Sequence, residues 1–291
     1  MEQIRRGQRA AALAAVFILL LLVSIGTGLL LVHYFYTPNT ELQISILDVG
    51  QGDAILLEAP NGQVILVDGG PDKTVLRRLG EELSFWERRI DLLVLTHPHE
   101  DHLAGFNSII NRYTIGGIMI SGVEAKSQSY QHFLEVISEK HIPLLVVEHP
   151  LNVVFGDIRL ETIYPQTSFK GKRISNVNNS SIVMRVVYKD FEMLLTGDAE
   201  EIEEQAILAS GSSIQADVLK AGHHGSETSS SEDFVKTVKP NVVVISSGQG
   251  NSYGHPSPRT LKRLERLHIP VRRTDIEGTI HLMTDGYSLH D

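Results

Sequence analysis

The chain has 291 residues, no cysteine, 26 Lys and Arg against 35 Asp and Glu, and 42% hydrophobic residues. That composition excludes a disordered chain, a collagen-like repeat and a disulfide-stapled miniprotein. Without thiolates there is no Cys-based zinc finger, cysteine nucleophile or iron–sulfur centre, so any metal must rest on His and carboxylate.

The first predicted element is a membrane span. Residues 10–32 contain no charged side chain and exceed the roughly 20 residues needed to cross a bilayer as a helix. Arg5, Arg6 and Arg9 precede the stretch and His33, Tyr34, Phe35 and Tyr36 follow it. The positive-inside bias and the interfacial aromatics put the N-terminus in the cytoplasm and the rest outside. A cleavable signal peptide is the competing reading, although its apolar core would usually be about 7–15 residues and end at a small-residue cleavage site. Residues 1–37 therefore read as a cytoplasmic stub and anchor, and residues 38–291 as one exported domain with Pro38, Asn39 and Thr40 as its tether. Removing the three Arg and one Glu of the first 37 residues leaves 23 basic and 34 acidic side chains, a net charge of −11. This suits a DNA-coating protein poorly, though the basic run Lys170, Gly171, Lys172, Arg173 offers a local phosphate contact.

The domain begins as a meander, with strands at residues 42–46, 54–58 and 64–67. Helical spacing follows around Val75, Leu76, Leu79, Leu83 and Trp86, then a continuous apolar run at residues 90–95 that suits a buried strand. Beyond it come a helix at 102–111, a strand at 115–120, a helix at 130–140 and strands near Leu144 and Ile158. A second hairpin pairs residues 181–188 with 191–195 through Lys189 and Asp190. Helices at 200–208, 233–238 and 258–267 alternate with strands at 216–220, 242–246, Val271 and 279–282. Two sheets, each covered by helices on one side, accommodate this order as a four-layer αββα sandwich in the α/β class.

The strongest chemical signal is Thr96-His97-Pro98-His99-Glu100-Asp101-His102, directly after the buried strand at 90–95. In extended backbone His97 and His99 point to one side, and the following turn brings Asp101 and His102 to a second point nearby. Imidazole with carboxylate suits Zn²⁺ or Mn²⁺. Asp198, in Leu194-Leu195-Thr196-Gly197-Asp198, stands at a strand end, where an Asp alone would read as a helix cap. Beside the His cluster it is the residue type that bridges two cations about 3.5–4 Å apart. In Lys220-Ala221-Gly222-His223-His224-Gly225-Ser226, one of the two His is expected to complete a metal shell. His255, among the glycines of residues 250–256, is placed to donate a proton to a leaving oxygen. Neither a dinucleotide loop nor a Walker-type loop occurs.

These residues resemble a known family. His97-x-His99-x-Asp101-His102 with Gly197-Asp198 looks like the metallo-β-lactamase superfamily. Residues 47–54, 178–183 and 223–226 are similar to the hydrolase domain of the ComEC competence DNA-uptake family. The resemblance implies a metallo-β-lactamase-like αββα fold, a binuclear centre and phosphoester hydrolysis. It assigns His97 and His99 to one metal, Asp101 and His102 to the other, and Asp198 between them, with His224 as the remaining ligand and His223 its neighbour. The third His that the superfamily usually gives the first metal has no counterpart, and Asn178 and Asn179 stand in that region. Asp48, Gln51, Asp53 and Asp68 are expected to orient ligands or shape turns.

The function expected is a membrane-anchored, outward-facing phosphodiester hydrolase using two divalent ions, Zn or Mn. Asp101 and His255 would be catalytic, and Lys220, Ser226, Thr228 and Asn178 would hold substrate, which is DNA, a nucleotide or an envelope phosphodiester. A lactam or lactone hydrolase, and a non-catalytic metal-binding partner of a competence or envelope complex, are the alternatives. With one span the chain is not expected to import DNA by itself.

Overall fold

A computed structural model describes residues 2–36 and 40–290, which form two compact units, Met1–Asn39 and Thr40–Asp291. Of the expected tether, Pro38 and Asn39 lie outside the described residues. The first unit is one helix, Glu2–Tyr36, longer than the apolar stretch because nothing between Glu2 and Tyr36 breaks it. Its segment Leu13–Leu30 is apolar, unburied and long enough to cross a membrane.

The second unit contains, among the described residues, an eight-stranded and a seven-stranded sheet. The first runs in the order Leu289–His290, Ile280–Thr284, Leu42–Ile46, Ile55–Glu58, Val64–Val67, Leu92–Leu95, Ile118–Ile120, Leu144–Val146. The second runs Val271–Arg273, Val242–Ile245, Val218–Lys220, Phe191–Leu195, Val183–Tyr188, Ile158–Tyr164, Asn152–Phe155. Successive side chains leave a strand on opposite faces. Leu92 and Val94 thus enter the core between the sheets with Ile44, Met184 and Val244, while Leu93 and Leu95 pack outward on Phe106 and Phe133. Leu194, Val243 and Ile245 pack outward on the other side with Phe234 and Leu264. Three apolar layers between four layers of structure give the αββα sandwich.

Two expected elements are broken. The apolar run 90–95 divides at Asp91: Arg89–Ile90 pairs with Thr114–Ile115 in a separate ribbon, and only Leu92–Leu95 joins the sheet. Asp91 explains the break, because its carboxylate accepts the Val64 N–H and pairs with Arg89. The run 115–120 divides likewise at Gly116, where a Cβ would lie 2.5 Å from the Asp91 carbonyl oxygen. The helix expected at 102–111 is two helices, Glu100–Leu103 and Phe106–Arg112.

The strands Leu92–Leu95, Phe191–Leu195, Val218–Lys220 and Val242–Ile245 all release their carboxyl ends at one edge of the sandwich, where ligands of α/β sheets gather. The two sheets are tied there, since Ile182 donates its N–H to the Thr96 carbonyl at 3.0 Å and the Ser246 hydroxyl donates to the Gly52 carbonyl at 2.7 Å.

Candidate metal centre

Each strand end delivers one part of a buried cluster. The loop after Leu95 carries His97, His99, Asp101 and His102; the turn after Leu195 carries Asp198; the segment after Lys220 carries His223 and His224. His97 and His102 are fully buried, and Asp198 and His224 are 1% exposed.

Three of the imidazoles have Nδ1 fastened outward and Nε2 turned inward. The Thr96 hydroxyl donates to Asp68 Oδ2 at 2.8 Å, so toward His97 Nδ1, 3.1 Å away, it acts as acceptor. His102 Nδ1 donates to Asp68 Oδ2 at 2.8 Å, and His224 Nδ1 to the Ser246 carbonyl at 3.0 Å. These outer bonds leave the Nε2 lone pairs pointing into the cluster.

Asp198 divides them. Its Oδ2 lies 3.7 Å from His97 Nε2 and 3.8 Å from His223 Nε2, and its Oδ1 lies 3.3 Å from His102 Nε2 and 3.7 Å from His224 Nε2. One donor group is therefore His97, His99 and Asp198, and a second is Asp101, His102, Asp198 and His224, the ligand atoms within each lying within 4.8 Å of one another. Asp101 Oδ2 is 3.3 Å from His224 Nε2.

The donor set fits two divalent cations. The Nε2 atoms of His102 and His224 and Asp198 Oδ1 are buried without a hydrogen-bond partner, although carboxylate and imidazole stand 3.3 Å apart. Buried polar atoms are seldom left so, whereas converging lone pairs at that separation suit an ion between them. Electrostatics agree. Burial works against a charged His102, yet Asp198, Asp68 and Asp101 outweigh it and hold its pKa well above the usual imidazole range. Burial likewise opposes charge on His224, and Asp198 and Asp53 overcome it, raising its pKa to about 9. Desolvation, followed by the neighbouring His102, keeps His97 well below the ordinary value. Burial would raise Asp198, but His102, His224 and His97 bring it well below the carboxylate range. The buried carboxylates are thus held ionised, and a bound cation would take the place of the protons that His102 and His224 hold without one.

The residues 47–54 frame this centre. Gly52 lies against the metal loop so closely that a Cβ would sit 2.2 Å from the Asp101 carbonyl oxygen, and Asp53 donates its N–H to that same carbonyl. His223 and His224 both occupy the left-handed region, at φ 46° and 54°, a strained backbone that aims two consecutive imidazoles into different parts of the site.

Other expected residues separate. Lys220 is fully buried, its ammonium 2.6 Å from Asp53 Oδ2, so it supports the centre from behind and cannot hold a substrate phosphate as expected. Ser226 is buried, with its hydroxyl 3.0 Å from the hydroxyl of exposed Thr228. Asp48 pairs with Arg78 at 2.6 Å, and its Oδ1 accepts the Gly50 N–H. It is a turn residue, and Gln51, whose Oε1 accepts the Gly248 N–H, clasps two loops. The ring of His255 stands 5.5 Å from that of His223. Sequence reasoning missed Thr96, Ser246 and, most of all, Glu200. Glu200 Oε1 is 3.0 Å from His223 Nδ1, and its two oxygens accept the side-chain amides of Asn178 and Asn176.

Residues 47–249 match a family profile described as Metallo-beta-lactamase superfamily. The chain is 28% identical over 271 residues to "ComE operon protein 3" of Bacillus subtilis, covering 87% of this chain and 34% of that protein. It is 30% identical over 245 residues to "Competence protein ComA" of Neisseria gonorrhoeae, covering 84% and 32%, and 30% identical over 246 residues to "Recombination protein 2" of Haemophilus influenzae, covering 82% and 28%. The chain therefore spans about a third of the length of these curated relatives. Among solved structures, the metallo-beta-lactamase fold protein YhfI of Bacillus subtilis superposes with a TM-score of 0.53 at 13% identity, over 82% of this chain and 99% of that one. A diphosphatase of the PhnP family gives 0.50 at 13% identity, over 84% and 98%. Both likenesses concern the fold.

Proposed function

The chain belongs to the metallo-β-lactamase superfamily, and from that premise we propose that it is a membrane-anchored, outward-facing metallohydrolase that cleaves phosphodiester bonds with two divalent cations, Zn or Mn. The observation that carries the binuclear reading is the division of Asp198, one oxygen toward His97 and the other toward His102 and His224. Such a pair of cations supplies a water made nucleophilic near neutral pH and offsets charge developing on the phosphoryl oxygens.

The remaining chemistry rests with the side chains. His97 and His99 face the first position and Asp101, His102 and His224 the second. His223, 26% exposed where His97 is fully buried, stands on the first side and takes the part left open by the missing third His. Glu200 holds its ring, and Asn178 and Asn176 hold Glu200. Asp101 is partly exposed and keeps a carboxylate at the mouth of the site, held well below the usual range because His102 and His224 outweigh its burial. His255 beside His223 is positioned to deliver a proton to the departing oxygen. His99, Asp101, His223 and His255 give the mouth of the site polar and ionisable groups, which favours an ionic ester over a lactam ring with apolar substituents. The competence and recombination names of the relatives support a nucleic-acid or nucleotide substrate. The apolar helix with Arg5, Arg6 and Arg9 before it supports the anchor and its orientation.

The test measures metal content and hydrolysis together. Wild type is expected to hold two ions per chain and to hydrolyse bis-p-nitrophenyl phosphate but not nitrocefin, and Asp198→Ala to lose both ions and activity. Turnover of nitrocefin alone overturns the phosphodiester reading, and full activity in strong chelator overturns the metal reading.

A further inference from the structure

Outside the metal centre, a cavity and the basic loop of residues 170–173 coincide. In the parallel ladder Leu95 lies opposite Ile120, and neighbouring strands are about 4.8 Å apart. The backbone leaving Ile120 therefore departs one strand width from the backbone that enters the metal loop. Along that departing segment, between it, the helix Gln128–Glu139 and the edge strand Leu144–Val146, lies a cavity of about 660 Å³, within the range of small-molecule sites.

Its lining has two chemistries. Val123, Leu134, Leu144 and Val146 form an apolar floor, with Leu144 42% exposed, and Lys126, Lys170 and Arg173 stand around it. Lys170 is balanced by Glu148 at 2.9 Å and Arg173 by Glu124 at 2.7 Å, whereas Lys126 has no ion-pair partner among the described residues. The basic loop does not wander. Gly171 donates its N–H to the Gly122 carbonyl at 3.0 Å, and Glu124 donates its N–H to the Lys172 carbonyl at 2.9 Å. A few residues on, the same segment delivers Asn176 and Asn178 to Glu200, the partner of His223. One stretch of chain thus joins the cavity to the metal centre.

We propose that this cavity is a subsite for a nucleotide flanking the scissile bond: the base lies on the apolar floor and a backbone phosphate meets Lys126, Lys170 and Arg173. The inference rests on the phosphodiesterase reading and adds the path that a strand takes across the domain. The apolar floor of Val123, Leu134, Leu144 and Val146 suits the flat face of a base better than a glycerol- or sugar-phosphate chain, and the cations around it suit the backbone. It also accounts for a nucleic-acid enzyme whose exported part is acidic overall, because the positive charge is needed only along the strand.

The test uses the full chain in detergent. Binding of a fluorescent thymidine dodecamer is followed by anisotropy in EDTA, where no cleavage occurs, for wild type, Lys126→Glu and Lys126→Glu/Lys170→Glu. The double variant is expected to bind at least tenfold more weakly with a shallower salt dependence, and an abasic dodecamer to bind wild type at least tenfold more weakly than the thymidine one. With Mn²⁺ added, the ratio of dodecamer to bis-p-nitrophenyl phosphate turnover falls at least tenfold in the double variant. Unchanged affinity and ratio in a folded double variant overturn the subsite, and equal binding of the abasic strand overturns its occupant as a nucleotide. If wild type hydrolyses neither substrate, the phosphodiesterase reading fails, while the binding measurement still decides the subsite.

Discussion

Lys220 and Asp53 meet at 2.6 Å with both side chains out of solvent, and the other oxygen of the same carboxylate lies 3.2 Å from His224 Nδ1. Burial alone would raise Asp53, but Lys220 and then His224 hold its pKa below the ordinary carboxylate value, so its carboxyl stays ionised in the interior. Removing one partner of a buried ion pair leaves the other charge uncompensated, which costs about 3–5 kcal/mol. Lys220→Met is therefore expected to lower the urea midpoint sharply, and Lys220→Met/Asp53→Asn to recover most of the loss. A double variant no more stable than the single one would show that the pair does not act as a unit.

Glu200 gives a prediction about position. It contacts His223 and two asparagine amides, and it also caps the helix Glu201–Ser210, a role that glutamine retains in part. Glu200→Gln is expected to weaken one of two bound ions by about 10–100-fold, the usual effect of losing an outer partner of a ligand, with the other ion unaffected. Metal titration of the folded variant reads this directly. Equal weakening of both ions, or of neither, would detach Glu200 from the first position.

The metal loop and the Asp198 turn were legible because each carries its chemistry locally, four donors in six residues in one case and a carboxylate after glycine at a strand end in the other. Lys220 was not. A lysine beside glycines at a strand end reads as a phosphate contact, and only the fold sets it against Asp53. Glu200 reads as the start of a helix, and it is one, but its second role depends on His223, which arrives from another strand. The apolar runs 90–95 and 115–120 concealed their breaks for a similar reason. Apolar residues stand on both sides of Asp91 and of the Gly116-Gly117 pair, while the partner that turns the chain at Asp91, the Val64 N–H, lies on a neighbouring strand.

His255 is predicted to matter in proportion to the leaving group. If it delivers the proton, a nucleoside alkoxide needs it and a p-nitrophenolate does so far less. His255→Gln is expected to slow hydrolysis of an oligonucleotide by about 10²-fold, the lower end of general acid catalysis, and that of bis-p-nitrophenyl phosphate only several-fold. Equal losses on both substrates would make His255 a structural neighbour of His223 and not a proton donor.

Glu58, the last residue of its strand, carries a pH dependence separate from the metal centre. Burial, with Glu82 and Glu87 nearby, raises its pKa to about 7, against about 4.3 for a free side chain. Below about pH 4 both folded and unfolded chains hold this proton, and stability is indifferent to it. As pH rises from there toward 7 the unfolded chain releases the proton first, so folding loses stability through that window and the loss levels off above it. The ceiling is about 4 kcal/mol, and partial exposure of the side chain reduces it to about 1–2 kcal/mol. Glu58→Gln removes the charge. Relative to wild type it is expected to gain this stability at pH 8 and to gain almost nothing at pH 4, read from urea midpoints of the two chains in parallel. Because the groups of the metal centre titrate equally in both, the difference isolates Glu58, and midpoint curves that stay parallel across the range would place its carboxyl in an ordinary, solvated setting.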